Sequence, residues 1–423
     1  MKRYLVNCSV IDCVNDDMQP YRATVVIENG RISAIDKTAA PPPPDAQAID
    51  LGGAYLLPGL WDSHCHPGGM IPDPNRVGYF ETPAERTLRA VRNTQSALHV
   101  GVTALRAVGE SDYIDLALRD AYANKTPTGL WKKGYENKRL YGPRIFGAGP
   151  GLSMTGGHGA NGRVEPVYTS KRVEVDSPEE VRKATRESIK MGVDWIKLMI
   201  TGGIAGVRES MYEVQMDYDD IKAACDAAHK KGLKVCAHTG CSEAAIIGVK
   251  AGLDCIEHGY ELNREATDLM AEKGVYYCPT LSVTMDEAYM RRWEWPEWSL
   301  QRALQGAELH QKAFQNALAS GVRIVNGADL NPIADTAVPE IEWTVKAGHT
   351  PAKALLASTR NAAEMCGVLA TLGTVETGKL ADLIVVEQNP LDNVSALRDV
   401  RLVMKEGDII VNRLEGQGER ALA

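Results

Sequence analysis

The sequence predicts an α/β fold: a (β/α)8 TIM barrel with a small β-sandwich domain built from both chain termini. Three observations predict it. Between residues 54 and 329, eight short apolar runs alternate with longer stretches of helical period. The first 57 residues read as a β-rich module. The tail, from about residue 370, returns to the same strand texture.

The elements follow in order. YRATVVIENGRISAID alternates apolar and polar residues and turns at Asn29–Gly30, a hairpin signal. AAPPPPDAQ (39–47) is a stiff connector, because proline fixes φ and removes a donor. The eight strand candidates are AYLLPGLWD (54–62), VTALRAV (102–108), RIFGAG (144–149), DWIKLMI (194–200), LKVCAH (233–238), DCIEH (254–258), VYYCPT (275–280) and VRIVNGAD (322–329). Helical patterns lie between most of them. In MDYDDIKAACDAAHKKG (216–232), Ile221, Ala224, Cys225 and Ala228 recur at helix spacing, and Gly232 stands where a terminating glycine is expected. Segments 125–143 and 285–300 are less regular. TLGTVETGKLADLIVVE and VRLVMKEGDIIVN close the chain as strands. The economical division is a composite β-domain of residues 1–57 and 370–423 flanking a catalytic barrel of residues 58–369.

Composition narrows the function. The chain has 423 residues, 44% hydrophobic and 24% charged, which suits a globular protein and excludes a disordered one. Its net charge of −8 repels phosphate backbones and anionic headgroups, so neither nucleic acid nor a membrane is the expected partner. No apolar run reaches 18 residues. The opening MKRYLVNCSVIDCVND lacks an apolar leader segment, so the expected location is cytoplasmic; an exported chain with its signal peptide already removed would read the same way. Nine cysteines without CxxC pairs fit reduced thiols better than a disulfide framework.

The chemistry collects at strand ends. LPGLWDSHCH places His64 and His66 at the end of the first barrel strand, two apart and so on one side of it. HxH alone is a weak signal, but barrel enzymes work at the C-terminal ends of their strands. There too lie His238 (fifth strand), His258 (sixth) and Asp329 (eighth). Lys197 stands inside the fourth, where a buried lysine is costly unless paired or chemically changed. Alone it would reach solvent past the strand end. Together the six side chains favour a metal site, since imidazole and carboxylate suit zinc-like ions. A lysine ammonium is not a ligand, but a carbamate on Lys197 would be. His158 sits in the glycine-rich MTGGHGANG, where backbone can approach a substrate closely. His99, His229 and His310 lie on predicted helices, where a solvated face is expected.

LPGLWDSHCH, GVTALRAVG, TGGHG, DWIKLMITGG, AHTG, IEHG, NGAD and GTVETGKLADLIVVEQNPL together resemble the amidohydrolase superfamily. They are similar to its imidazolonepropionase-like and binuclear zinc prolidase-like branch. The TGGHG loop and Gln215 point to the peptidase-like side. The resemblance implies two divalent ions, most simply Zn2+. One is held by His64, His66 and Asp329, the other by His238 and His258, with carboxylated Lys197 bridging them. Asp329 would move the proton of an activated water, and His158 would hold the substrate carbonyl. Two departures stand out: Gly240 replaces a tyrosine common in relatives, leaving room for a bulkier group, and Gly259-Tyr260 replaces Gly-Thr, so Tyr260 would supply a substrate-binding phenol.

The implied substrate is a small-molecule amide: a dipeptide or N-acyl amino acid with a free C-terminal carboxylate. Some relatives cleave the aromatic amide of ochratoxin. MRRWEWPEWSL (290–300) offers tryptophans either for an apolar substrate wall or for packing. Arg163 and Arg208 are candidate partners for the substrate carboxylate. A lactonase or cyclic-amide hydrolase is the alternative enzyme, and a catalytically silent binding protein the alternative class. The resemblance also implies a homo-oligomer, up to an octamer.

Overall fold

The computed structural model describes residues 2–38, 40–69, 80–123, 140–159, 173–206 and 209–414. At the N-terminus, β1 (Lys2–Val10), β2 (Tyr21–Glu28) and β3 (Arg31–Asp36) run antiparallel in succession. The expected hairpin turn joins β2 to β3, with Asn29 at φ 52° and Gly30 at φ 76°. Gly30 also meets the other end of the chain. A Cβ there would lie 2.8 Å from the Glu406 carbonyl oxygen, so only glycine permits the approach. β4 (Gln47–Asp50) pairs with β1 after the proline connector, and β5 (Tyr55–Pro58) follows.

The tail strands join the same sheet. With β16 (Leu383–Val386), β17 (Val400–Lys405) and β18 (Asp408–Asn412), the order is β18-β17-β16-β5-β1-β2-β3. Leu5, Val25, Ile32, Leu56, Leu383 and Leu402 pack on one another in its apolar core, so both chain ends share one hydrophobic cluster.

All eight predicted barrel strands form. The first differs from expectation: residues 54–62 divide at Gly59 into β5 and β6 (Leu60–Cys65), which belong to different sheets. β6 pairs in parallel with β7 (Val102–Ala107), and β7 with β8 (Arg144–Gly147). A second parallel sheet holds two short strands that sequence reasoning missed, β9 (Leu152–Ser153) and β10 (Val173–Glu174). It continues through β11 (Trp195–Met199), β12 (Lys234–Cys241), β13 (Cys255–Glu261), β14 (Tyr276–Cys278) and β15 (Arg323–Ile324). Backbone bonds link the two sheets: Asp194 N–H donates to Gly147 O at 2.7 Å, and Ser63 N–H to Asn326 O at 2.7 Å.

Alternation decides which side chains face which way. On β11, Ile196 and Leu198 join the cluster under the helices, whereas Trp195 joins a second cluster with Trp61, Cys236 and Cys255. Lys197 has the parity of Trp195. The predicted helix at 216–232 forms as Tyr218–His229 and ends in a turn where Gly232 takes φ 72°. The long helix Glu297–Ser320 packs against β13 and buries His310 completely. The expected solvated face for His310 is therefore wrong; His99 and His229 are exposed as expected.

Candidate active site

His64 and His66 reach one side of the sheet through an irregularity. Trp61 and His64 are three apart, so a regular strand would turn them to opposite faces. The β6–β7 register shifts between Asp62 and Cys65, a bulge that restores a common face. The buried Asp62 carboxylate supports this turn, accepting the His64 N–H at 3.0 Å and the Ala328 N–H at 3.3 Å. Asp329 N–H donates to His64 O at 2.8 Å, which ties the last strand end to the first.

The side chains then converge. The Asp329 Oδ1 lies 3.1 Å from His66 Nε2 and 3.5 Å from His64 Nε2, yet has no hydrogen-bond partner among the described residues. His258 Nδ1 is 4.0 Å from Asp329 Oδ2. Ligand atoms of His64, His258 and Asp329 all fall within 4.8 Å of one another. The His258 ring is 4.7 Å from that of His64 and 4.4 Å from that of His238, so three imidazoles stand in a row. Lys197 is buried among them and makes no hydrogen bond or ion pair with a described residue.

Each imidazole is held by one nitrogen. His64 Nδ1 meets Glu257 Oε2 at 2.7 Å, His258 Nδ1 meets Thr280 Oγ1 at 2.8 Å, and His238 Nε2 meets Gly202 O at 2.9 Å. The other nitrogen is left for a ligand role, the usual arrangement around a metal. Burial drives His64 down to about 4 and His238 and His258 well below the usual histidine range, so all three rings are neutral near pH 7. Burial alone would raise the Asp329 carboxyl, but the neighbouring His64 and His66 hold it below its ordinary value. Burial likewise lowers the Lys197 amine. Neutral imidazoles, an ionised carboxylate, and a lysine amine whose charged form burial disfavours form a donor set that fits divalent cations.

Three residues here adopt left-handed backbone without being glycine: His258 (φ 65°), Thr280 (φ 52°) and Asp329 (φ 59°). Such positions cost of order 1–3 kcal/mol each and gather at working sites. The His258 turn is pinned from behind: Tyr277 Oη donates to His258 O at 2.7 Å, and His310 Nε2 approaches the same oxygen at 3.0 Å.

His158 joins from the loop after β9. Its ring stacks on His238 at 4.1 Å and 25°, and its Nδ1 is 2.7 Å from Glu209 Oε1. Burial would raise the Glu209 carboxyl, but the hydrogen bond from His158 holds it below the ordinary range. Tyr260 stacks on His258 at 5.3 Å and 17°, and no described residue hydrogen-bonds its hydroxyl. The space expected beside Gly240 is filled: a Cβ there would lie 1.6 Å from Met211 O. Trp293 and Trp295 pack in the apolar cluster that contains Tyr260, Ile204 and Leu330. Trp298 is exposed. Arg163 and Arg208 lie outside the described residues.

Sequence reasoning missed Asp62, Arg106, Glu209, Glu257, Thr280 and Tyr277. Glu257 is the most consequential of them. It is fully buried and bridges His64 to Arg106, whose Nη2 is 2.7 Å from Glu257 Oε1. Parity was the available signal, since Glu257 lies on β13 opposite His238 of β12.

Imidazoles, a carboxylate and a buried lysine gathered at the ends of parallel strands form a candidate metal-binding group in an α/β fold. Over residues 55–410 the chain matches the Amidohydrolase family, and it belongs to that family. It is a hydrolase acting on amide C–N bonds. Aspergillus niger ochratoxinase is 30% identical over 374 residues, covering 82% of this chain and 73% of the relative. The crystal structure of A. niger ochratoxinase superposes with a TM-score of 0.80 at 26% identity, over 97% of this chain and 96% of that one. A Xaa-Pro dipeptidase crystallised with methionine in its active site superposes with a TM-score of 0.85 at 31% identity, over 97% and 99%. Imidazolonepropionase of Thermoplasma volcanium is 22% identical, covering 92% of this chain and 91% of that relative.

Proposed function

We propose that this chain is a metal-dependent amidohydrolase cleaving the amide bond of dipeptides or N-acyl amino acids with a free C-terminal carboxylate, aromatic amides of the ochratoxin type included. The observation that carries the reading is the meeting of His64, His258 and Asp329 ligand atoms within 4.8 Å of one another. In this reading the two parallel sheets close as a (β/α)8 barrel over residues 58–369. Residues 1–57 and 370–423 form the flanking β-sandwich domain.

His64, His66 and Asp329 would hold one divalent ion and His238 and His258 a second, and Lys197, as a carbamate, would add an anionic oxygen donor to the set. Zinc suits this donor set. When bound, such ions polarise the amide carbonyl and lower the pKa of water. The protein's own groups do the rest. Asp329 Oδ1, which has no hydrogen-bond partner among the described residues, takes a proton from the attacking water and returns one to the leaving amine nitrogen, a transfer worth ~10²–10⁴-fold in rate. His158 holds the substrate amide, and the Tyr260 hydroxyl binds beside it. Trp293 and Trp295 back the aromatic side of the cleft. Arg163 and Arg208 take the substrate carboxylate.

The test is a substrate panel on zinc-loaded protein of measured metal content: N-acyl amino acids, dipeptides and lactones, with aromatic and aliphatic C-terminal residues. Release of a free amino acid from the first two classes supports the reading. Full zinc occupancy with turnover of lactones alone, or of nothing, overturns it.

A further inference from the structure

The loop after β11 carries an acidic residue that no motif announced. Glu209 is 92% removed from solvent at its side chain, and its Oε1 lies 2.7 Å from His158 Nδ1. Its other oxygen accepts from Gln215 Nε2 at 3.3 Å, and Gln215 Oε1 in turn accepts the His158 backbone N–H at 2.8 Å. The ring is confined on two more sides. It stacks on His238 at 4.1 Å, and Gly203 lies so close that a Cβ there would be 2.1 Å from His158 Cε1. Ser153 Oγ donates to His158 O at 3.0 Å. The imidazole is thus fixed in plane and in rotation, while its side chain keeps 15% of its exposure.

We infer that Glu209 is the positioning residue of the hydrolysis. Its carboxylate accepts a hydrogen bond from His158 Nδ1–H and so leaves Nε2 as the atom presented to the substrate amide. The inference rests on the role proposed above for His158. It adds that a carboxylate outside the metal cluster chooses which nitrogen works, as carboxylates do for histidines in many sites. Glu209 touches neither substrate nor metal in this arrangement.

Two measurements separate this claim from the reading it rests on. The first is a double-mutant cycle in kcat with Glu209→Ala and His158→Ala, checked for equal metal content and melting temperature. Glu209→Ala alone is expected to lower kcat about 10–100-fold. In the His158→Ala background it is expected to change kcat less than about twofold, because its only route of action is gone. Glu209→Asp restores part of the loss. Effects that multiply across the two sites overturn the inference. The second measurement needs no turnover. With 15N-labelled histidine, the His158 Nδ1-bound proton should resonate far downfield in the parent and vanish in Glu209→Gln and Glu209→Ala. If that signal is absent from the parent, Glu209 does not hold the ring. If it is present while no amide is hydrolysed, the substrate reading fails and the positioning stands. A Glu209→Ala chain that does not fold is replaced in the cycle by Glu209→Gln, with the same expectations.

Discussion

At the scale of single residues, two buried charges decide the site. Lys197 is buried with no hydrogen bond or ion pair among the described residues, and a carbamate would turn its burial cost into a ligand. Lys197→Ala is therefore expected to lower both bound metal per chain and amide turnover, the latter by about 100-fold or more. Metal analysis beside kcat/KM checks this, and full occupancy with full activity would remove Lys197 from the site. Glu257 is the second case. It is held far below the ordinary carboxylate range, against its own burial, by Arg106 and His64. Glu257→Gln should weaken metal binding about 10–100-fold, because the His64 ring loses its charged anchor. Glu257→Gln also strips the buried Arg106 guanidinium of its counter-charge, as Arg106→Leu does for the Glu257 carboxylate, so each variant is expected to cost about 3–5 kcal/mol of stability. Only Glu257→Gln removes the charged anchor of His64, so metal titration beside urea unfolding of the two variants distinguishes tuning of the metal from support of the fold.

At the scale of elements, strand ends explain what could be read and what could not. The eight strands, the Asn29–Gly30 hairpin and the convergence of His64, His238, His258 and Asp329 follow from run length, turn chemistry and strand polarity, all local properties. What stayed hidden depends on departures from regular alternation. Alternation puts Glu257 inside and turns His258 outward; the left-handed turn at His258, pinned by Tyr277 and His310, swings the ring back in. The bulge between Asp62 and Cys65 does the same for His64. Neither irregularity has a composition signature, because both are fixed by partners far along the chain. Glu209 was invisible for a like reason: it acts from a loop whose path is set elsewhere. Arg302, on the helix Glu297–Ser320, donates to the carbonyls of Gly203 and Ile204 at 3.0 and 3.2 Å, and so holds the loop that lies against His158. Gly203→Ala tests that close approach. The new methyl must displace the His158 ring, and a misplacement of about 1 Å costs about 10²-fold in rate. Metal content should be unchanged, so a fall in metal instead of kcat would mean that the loop supports the ligands rather than His158.

At the scale of the whole molecule, buried titratable groups outside the metal cluster set the dependence of stability on pH. Burial lowers His310 and His349 to about 4. Their folded-state values lie below the unfolded one near 6.5, so the unfolded chain binds more protons as pH falls. The stability they confer is present above about pH 6.5 and is lost as pH falls toward about 4. Buried carboxyls act in the opposite sense. Burial raises Glu340 to about 8 and Asp115 to about 7, so their contribution is fully present below the unfolded carboxylate value and is lost as pH rises through 7 to 8. The two families overlap between about pH 4 and 6.5, and the profile of the intact protein mixes them. One substitution isolates a single term. His349 is buried edge-on against Phe314 at 5.2 Å, and its Nδ1 has no hydrogen-bond partner among the described residues, so leucine can replace it without breaking a described bond at that atom. His349→Leu should leave stability near pH 7.5 within about 1 kcal/mol of the parent, since at that pH neither state is protonated at this ring. Between pH 6 and 4.5 the variant should gain on the parent by up to about 1.4 kcal/mol per pH unit, the slope of one proton. Urea unfolding of both proteins at four pH values measures this difference. Parallel curves would mean that His349 titrates alike in the folded and unfolded chain and that its burial is not what the geometry describes.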